Sequence, residues 1–550
     1  MKKIVLLIIT FLTLVHGLKA QLTTEQWQED LHFLQKTIHD EYASLFVKTT
    51  PTDFDAAVES LHAQIPDMEP HEIIVGMSRI IALFRYGHTD ISFNQKPYDF
   101  RYLPINLYIY IFGDEIRIQG TEKKYESAVG AKVLAINTIP ISEAVERIRP
   151  VVNSENEQYF KAYGINYLRI PEVLHAQGII QNLDKGIDFT LEKNGTVFTV
   201  TFSALPKGAY VPTTRGYVFQ DENWVSARKK DSLPRYLKKL DRVYYSEYLP
   251  KEKALYVRHS RIQDDTEEST ADFYNRVFDF VENNEVERLI IDVRLNGGGN
   301  NYLNRKVITG IVETKKINQV GKLFVLLGRR TFSACQNLVN EMDNYTNAIF
   351  LGEPTAENIN FWGDARPVAL PNSTIPVYLS FAWWQDKPVW ENAEWLAPTM
   401  KIEPSFQQYV DNRDPVLQAA LSFDAQGFQP NPMQYVTDLY SAGKTEELAT
   451  ELPKMIHDPR YGFVDFETEL SKKGQLLLNS GRTREVQASV QVFHMIAQLF
   501  PDSARAWKNV GAAYARTGAV DEATSFLEKA MTMDDGAIAV EARQLLKELK

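Results

Sequence analysis

The chain has 550 residues, 44% of them hydrophobic and 24% charged, with 28 Gly and 25 Pro. Such a globular mixture excludes collagen-like, coiled-coil and mainly disordered chains, and the length corresponds to about three or four domains. With 60 Lys and Arg against 71 Asp and Glu the net charge is −11, which offers no basic field to nucleic acid, and the lone Cys335 excludes an intrachain disulfide and any multi-cysteine metal centre.

Met1-Lys2-Lys3, the apolar run from Ile4 to Val15 and the small residues before Gln21 have the three regions of a secretory leader, with cleavage expected near Ala20. The alternative is a membrane anchor, but a run of about 12 apolar residues is short of the roughly 20 that span a bilayer. The expectation is an exported chain, soluble in a periplasm or outside the cell, with no integral span. From Thr23 to Phe84 apolar residues recur at steps of three and four, as in Trp27, Leu31, Leu34 and Ile38, which predicts helices. From Tyr102 the period becomes two, at Ile105, Leu107, Ile109 and Ile111, and a hairpin is predicted around Asn194-Gly195, so residues 101–206 read as a small β-rich module.

Between Ala254 and Phe381 short apolar runs alternate with helical patterns, the signature of strand–helix–strand crossovers in an α/β sheet. Strands are predicted over Ala254–Val257, Leu289–Val293, Leu323–Leu327, Ile349–Leu351 and Ile375–Phe381, and helices over Asp272–Asn283 and Ala334–Tyr345. From Val436 the chain is helical. Gly474 and Gly481 recur as Gly511 and Gly518, an internal repeat whose second unit resembles a tetratricopeptide repeat. Two such units are few for a free-standing solenoid, so they dock on the rest of the chain or on a protein partner; the alternative is a plain helical tail.

Three short stretches could carry chemistry. Asp292-Val293-Arg294-Leu295-Asn296-Gly297-Gly298-Gly299 runs a buried strand into three glycines, a turn that opens backbone N–H groups to an anion or is simply tight. Gly328 to Gln336 ends a strand, turns, and starts a helix just after Ser333, where a hydroxyl is either a nucleophile or a helix cap. Cys335, two residues on, reads as a buried small residue rather than as the nucleophile. His88, in Tyr86-Gly87-His88-Thr89 between helix and strand, is the histidine in a loop suited to a functional side chain, although a histidine taken alone in such a place is more often structural.

Together, Gly87-His88-Thr89, the Asp292 to Gly299 run, Thr331-Phe332-Ser333-Ala334-Cys335-Gln336, Gly352-Glu353-Pro354-Thr355, Trp390-Glu391-Asn392 and Asp414-Pro415-Val416-Leu417 resemble the C-terminal-processing (tail-specific) serine peptidases and their tricorn-like and retinoid-binding-protein-like relatives. The resemblance spans roughly residues 23–425. It implies an α/β, crotonase-like peptidase core over 207–425, an N-terminal helical region over 21–100 after a leader over 1–20, a degenerate PDZ-like insert over 101–206, and a helical tail over 436–550 outside the resemblance. It further implies Ser333 as nucleophile, Ala334 with Gly298 or Gly299 as the oxyanion hole, and no metal or organic cofactor. Lysine-dyad members carry a lysine about 25 residues after the serine, where this chain has Asn358. The tricorn-like branch instead uses a histidine and a glutamate, which His88 and Glu391 supply, with Glu394 close by and Lys387 as the lysine to test if His88 is not the base. The expected function is a secreted serine endopeptidase acting on extended peptides or protein chain ends. The alternatives are a non-catalytic carrier of a ligand or peptide on the same scaffold, and an interaction protein working through its repeats.

Overall fold

The computed structural model describes residues 22–549 except 95, 97, 111–114, 231 and 232. The leader expected over 1–20 and Ile111 of the alternating run lie outside the described residues. Contacts divide the chain into two units, one of residues up to 397 with 402–422, the other of 398–401 with 423–550.

The first unit opens with helices Thr24–Glu41, Pro51–Gln64 and Pro70–Ala82. Thr23 and Gln26 cap the first reciprocally, satisfying N–H groups that a helix start leaves without partners, and its apolar stripe buries Trp27, Leu31, Leu34 and Ile38. The third is apolar nearly all round and is buried nearly all round. An antiparallel sheet follows, with Ile105–Tyr110, Glu115–Glu122, Lys132–Ile136, Ile187–Lys193 and Thr196–Phe202 among its strands. Asn194 and Gly195, both at positive φ, make the two-residue turn of its last hairpin. Helices and sheet share one core, in which Trp27, Ile74, Val133, Phe189 and Phe202 are all buried.

A second sheet has its own core, around Val257, Ile291, Val325 and Leu338. Tyr244–Leu249 pairs antiparallel with Ala254–His259, and then Arg288–Asp292, Leu323–Leu327 and Ile349–Gly352 add in parallel. Helices Thr270–Asn283, Asn304–Glu313 and Ala334–Tyr345 lie between successive parallel strands. The parallel strands read as unbroken apolar runs because both faces are covered. One assignment changes. The strand expected over Ile375–Phe381 runs Pro376–Gln385 and belongs not to this sheet but to an antiparallel one with Asn360–Ala369, which the two-residue strand Asp90–Ile91 joins at its edge. Alternation shows that a segment is a strand but not which sheet it enters.

The second unit is built from helices, among them Phe466–Leu478, Thr483–Leu499, Ala504–Thr517, Val520–Met533 and Ala537–Glu548. Gly474 and Gly511 play the same part in it: a Cβ on either would come 2.7 Å from Phe493 or Leu527. Among the described residues no helix is long and apolar enough to cross a membrane.

Candidate active site

Ser333 sits where the strand Leu323–Leu327 gives way to the helix Ala334–Tyr345. The turn between them is tied down at every step: Thr331 N–H donates to Gly328 O at 2.9 Å, the buried Thr331 hydroxyl to Val293 O at 3.2 Å, and Phe332 N–H to Asn296 O at 3.2 Å. These bonds fix Ser333 at φ 57°, ψ −133°, a conformation that costs a non-glycine residue roughly 1–3 kcal/mol and persists only when its surroundings over-determine it. Its hydroxyl makes no capping hydrogen bond to the helix, so the cap reading of this serine falls away. Instead Oγ lies 2.9 Å from Nε2 of His88, 245 residues earlier in the chain.

His88 is held from several directions. The buried Thr89 hydroxyl donates to Ser380 Oγ at 2.9 Å and accepts from Ser380 N–H at 3.1 Å, while Asp90 pairs in register with Tyr378. Gly87 N–H donates to Glu155 Oε1 at 2.9 Å and Asn153 Nδ2 to Gly87 O at 3.0 Å. The imidazole stacks on Phe332 with ring centres 4.6 Å apart, and Phe361 lies parallel at 6.2 Å. Burial pushes its pKa below the ordinary histidine value, against the opposing pull of Glu155, Asp364 and Asp90. A neutral imidazole at Ser333 is what proton abstraction from a hydroxyl requires.

The carboxylate behind His88 is Glu357. Its Oε1 lies 3.2 Å from His88 Nδ1, its side chain is fully buried, and Oε2 accepts the N–H of Ser333. The approach to Nδ1 is oblique, and neither atom has a hydrogen-bond partner among the described residues. Burial pushes the Glu357 carboxyl well above the usual range, and the Ser333 N–H pulls the other way. The expected Glu391 is elsewhere: it is exposed, its N–H donates to Pro388 O at 2.9 Å, and its carbonyl accepts from Asn360 at 3.0 Å. Glu394 is exposed too. An exposed loop carboxylate keeps its hydration and has no reason to turn inward. The signal for Glu357 was its place 24 residues after Ser333, adjacent to the Asn358 that stands where a dyad lysine was sought. Lys387 is itself engaged, with Asp343 and with Asn344 Oδ1 at 2.7 Å.

Glu155 was not singled out in the sequence. It is buried, its two oxygens accept the N–H groups of Gly87 and Asn358, and it thereby joins the loop bearing His88 to the loop bearing Glu357. Burial, and then the nearby Glu357, push its pKa up to about 7. Oxygens of Glu155 and Glu357 and a ring nitrogen of His88 lie within 4.8 Å of one another, a spacing that could accept a cation. Against that use, both Glu155 oxygens, one Glu357 oxygen and His88 Nε2 already have protein partners.

The glycine turn passes directly beside Ser333. A Cβ on Gly298 would lie 2.5 Å from Ser333 Cβ, and one on Gly299, at φ 146°, would lie 2.0 Å from Ile262 O; both positions need glycine. Gly298 N–H donates to Asn296 Oδ1 at 3.0 Å, so of the expected oxyanion donors that one is engaged. The N–H groups of Ala334 and Gly299 have no partner among the described residues. Cys335 is fully buried and burial pushes its thiol well up, which removes it as a thiolate nucleophile.

No family profile matches the chain, and no curated protein does. Solved structures do. Mature CPAF complexed with lactacystin is 11% identical, with a TM-score of 0.50, over 73% of this chain and 99% of that one. A photosystem II D1 C-terminal processing protease is 12% identical over 71% and 97% of the two chains at a TM-score of 0.31. The tricorn protease is 13% identical over 72% of this chain and 36% of its own at 0.35. At these identities the likeness is one of fold, and the match to CPAF carries it: the mixed α/β architecture implied by the sequence motifs is shared with CPAF over nearly its whole length.

Proposed function

We propose that the chain is a serine endopeptidase of the C-terminal-processing type that hydrolyses extended peptides or protein chain ends. The observation that carries the reading is Ser333 Oγ at 2.9 Å from His88 Nε2, on a serine with strained backbone, with Glu357 behind the imidazole. Ser333 Oγ attacks the scissile carbonyl carbon as His88 Nε2 takes its proton. The carbonyl oxygen, now negative, faces Ala334 N–H at the positive end of its helix and Gly299 N–H. His88 then delivers the proton to the leaving amine nitrogen, and the acyl group on Ser333 is released by water along the same path in reverse. Glu357 orients the ring, and the imidazolium formed 3.2 Å from it favours the ionised form of a carboxyl that burial otherwise keeps neutral. Glu155 fixes the spacing between the two loops.

Export through the leader at 1–20, and recruitment of substrate or partner by the second unit, belong to the same proposal. So does the dispensability of that unit for the chemical step, because every candidate catalytic residue lies in the first. The test is turnover of a pool of unstructured peptides by the full chain, read by mass spectrometry. Cleavage that disappears in Ser333→Ala supports the reading, and cleavage equal in both chains, or in neither, overturns it.

A further inference from the structure

Outside the catalytic group, the first unit brings two histidines and a glutamate together. Helix Pro70–Ala82 has His71 and Glu72 in its first turn, and the short helix Pro171–Ala176 has His175 in its last. The two helices pack on each other, with Ile73, Ile74, Val173 and Leu174 buried in one core. That packing sets His71 Nε2 3.0 Å from His175 Nδ1, 104 residues along the chain, and Glu72 Oε1 3.5 Å from the same nitrogen. Glu72 is held in place by its other oxygen, which accepts the N–H of Glu69 at 2.8 Å in the cap of the helix.

Three lone-pair atoms therefore face one point. Two neutral imidazoles can put a single proton between their facing nitrogens, and neither those nitrogens nor Glu72 Oε1 has another partner among the described residues. One divalent cation would serve all three. Ligand atoms at about 2.1 Å from a tetrahedral zinc ion stand roughly 3.3 Å from one another, so the separations of 3.0 and 3.5 Å need change by only a few tenths. The two imidazoles are tilted 58° from parallel, which lets their in-plane lone pairs meet at one ion.

Two other clusters of two or more such ligands among the described residues fail on this geometry. In one, both oxygens of Glu155, one of Glu357 and His88 Nε2 already have protein partners. In the other, His32 and His62 are stacked 4.4 Å apart and only 15° from parallel, so their lone pairs run side by side, and Glu59 stands 3.9 Å from His32 Nε2. His32 and Glu59 are also 47% and 67% exposed, against 25% and 24% for His175 and Glu72. The latter pair is sheltered enough to hold a geometry and open enough to admit an ion.

We propose that His71, Glu72 and His175 form a binding site for a divalent transition-metal ion of the zinc type, which clamps the helix Pro70–Ala82 to the helix Pro171–Ala176 and leaves a fourth position to water. Imidazole ligands favour zinc, copper or nickel over calcium and magnesium, which take oxygen ligands. The site shares no residue with the catalytic group, and the proposal stands whether or not the chain is a peptidase. The clamp would brace the loop of His88, because the helix Pro70–Ala82 leads into that loop, and Asn153 and Glu155, which hold Gly87, lie in the chain between the two clamped helices.

The experiment titrates Zn2+ into the full, untagged chain in metal-free buffer, read by calorimetry and by thermal unfolding. Zinc should bind at this site and raise the unfolding temperature by about 2 °C or more at saturation, whereas Ca2+ and Mg2+ should not. Glu72→Gln keeps the helix cap, since a glutamine oxygen accepts the same N–H, and His175→Gln leaves that cap untouched. Each should weaken zinc binding about tenfold or more and shrink the shift, while His62→Gln in the stacked cluster changes neither. Should His175→Gln fail to fold, Glu72→Gln decides alone. No bound zinc, zinc bound without stabilisation, an equal effect of Ca2+, or binding and stabilisation that survive these two substitutions or vanish with His62→Gln would overturn the site.

Discussion

The two units solve opposite problems. In the second, Gly474 and Gly511 let helices approach until Phe493 and Leu527 fill the space above them, and the buried residues are mostly alanines, leucines and other apolar side chains. Local preferences there mostly agree with the fold, Pro453 inside the helix Thr445–His457 and the two helical glycines excepted. The first unit keeps Ser333 in a disfavoured conformation, buries two carboxyls beside a histidine, and crowds arginines around a cavity. Each of those features lowers stability; Ser333 and the cavity follow the ends of the strands Leu323–Leu327 and Arg288–Asp292, and the buried carboxyls tie Ser333 to the loop of His88. Departures from locally consistent structure mark where chemistry is placed.

The comparison breaks most visibly if the unfavourable features are removed one at a time. Ser333→Ala and His88→Ala should each lower kcat by about 10³-fold or more, and the double substitution should cost little beyond either, because groups that act as one unit are not additive. Steady-state kinetics on a cleaved peptide checks this, and additive losses would show independent roles. Glu357→Gln should lower kcat by about 10²-fold or more while Glu391→Gln leaves it unchanged, since one faces His88 and the other faces solvent; the same assay on the two variants decides between them. Gly511→Val should do the reverse of all these, destabilising the second unit by about 1–3 kcal/mol through overpacking against Leu527 while turnover of a short peptide stays normal. Thermal unfolding alongside kinetics reads both halves.

Two effects of pH sharpen the contrast. Burial lowers the His88 pKa, so the neutral base survives further into acid than a free imidazole would, and the acid limb of kcat/KM should have its midpoint below about 6.5. A midpoint above that value would mean that the carboxylates outweigh burial. Glu155 is shifted the other way, up to about 7 from an ordinary 4.5. Its folded form holds a proton that the unfolded form has released, so its contribution to stability falls as pH rises from about 4.5 to about 7. Thermal unfolding of the unsubstituted chain and of Glu155→Gln across that range should differ in slope, with the unsubstituted chain losing more stability toward neutral pH. Parallel curves would place the buried proton elsewhere.

Much of this was legible in the sequence, and what was not follows a pattern. The parallel strands show as unbroken apolar runs, and Ala334–Tyr345 begins and ends where its periodicity does. Ser333 and His88, which the structure brings within 2.9 Å of each other, could be singled out because each stands in a short stretch whose neighbours are unusual: a glycine before the histidine, a strand end and helix start around the serine. Glu357 and Glu155 could not be found that way. Both lie in irregular segments, and what distinguishes them is burial and the N–H groups that converge on them, which only the tertiary fold creates. The resemblance to known motifs led to Glu391 instead, an exposed loop residue. Gly298 was similarly half legible: its need for glycine is written in the triplet, but the capture of its N–H by Asn296 Oδ1 is a matter of one side chain's direction. A strand after His88 could be read, but not that only Asp90–Ile91 pair, nor that they pair with Tyr378 and Val377 and so fix the loop that carries His88.

The central claim is that Ser333 is an activated nucleophile, with His88 as its base and Glu357 behind it. The most direct measurement is intact mass and peptide mapping of the full chain after treatment with a fluorophosphonate. The account predicts a single adduct, mapped to Ser333, absent in Ser333→Ala and formed much more slowly in His88→Ala and Glu357→Gln. An unmodified protein, an adduct on another residue, or labelling at an undiminished rate without His88 would contradict it.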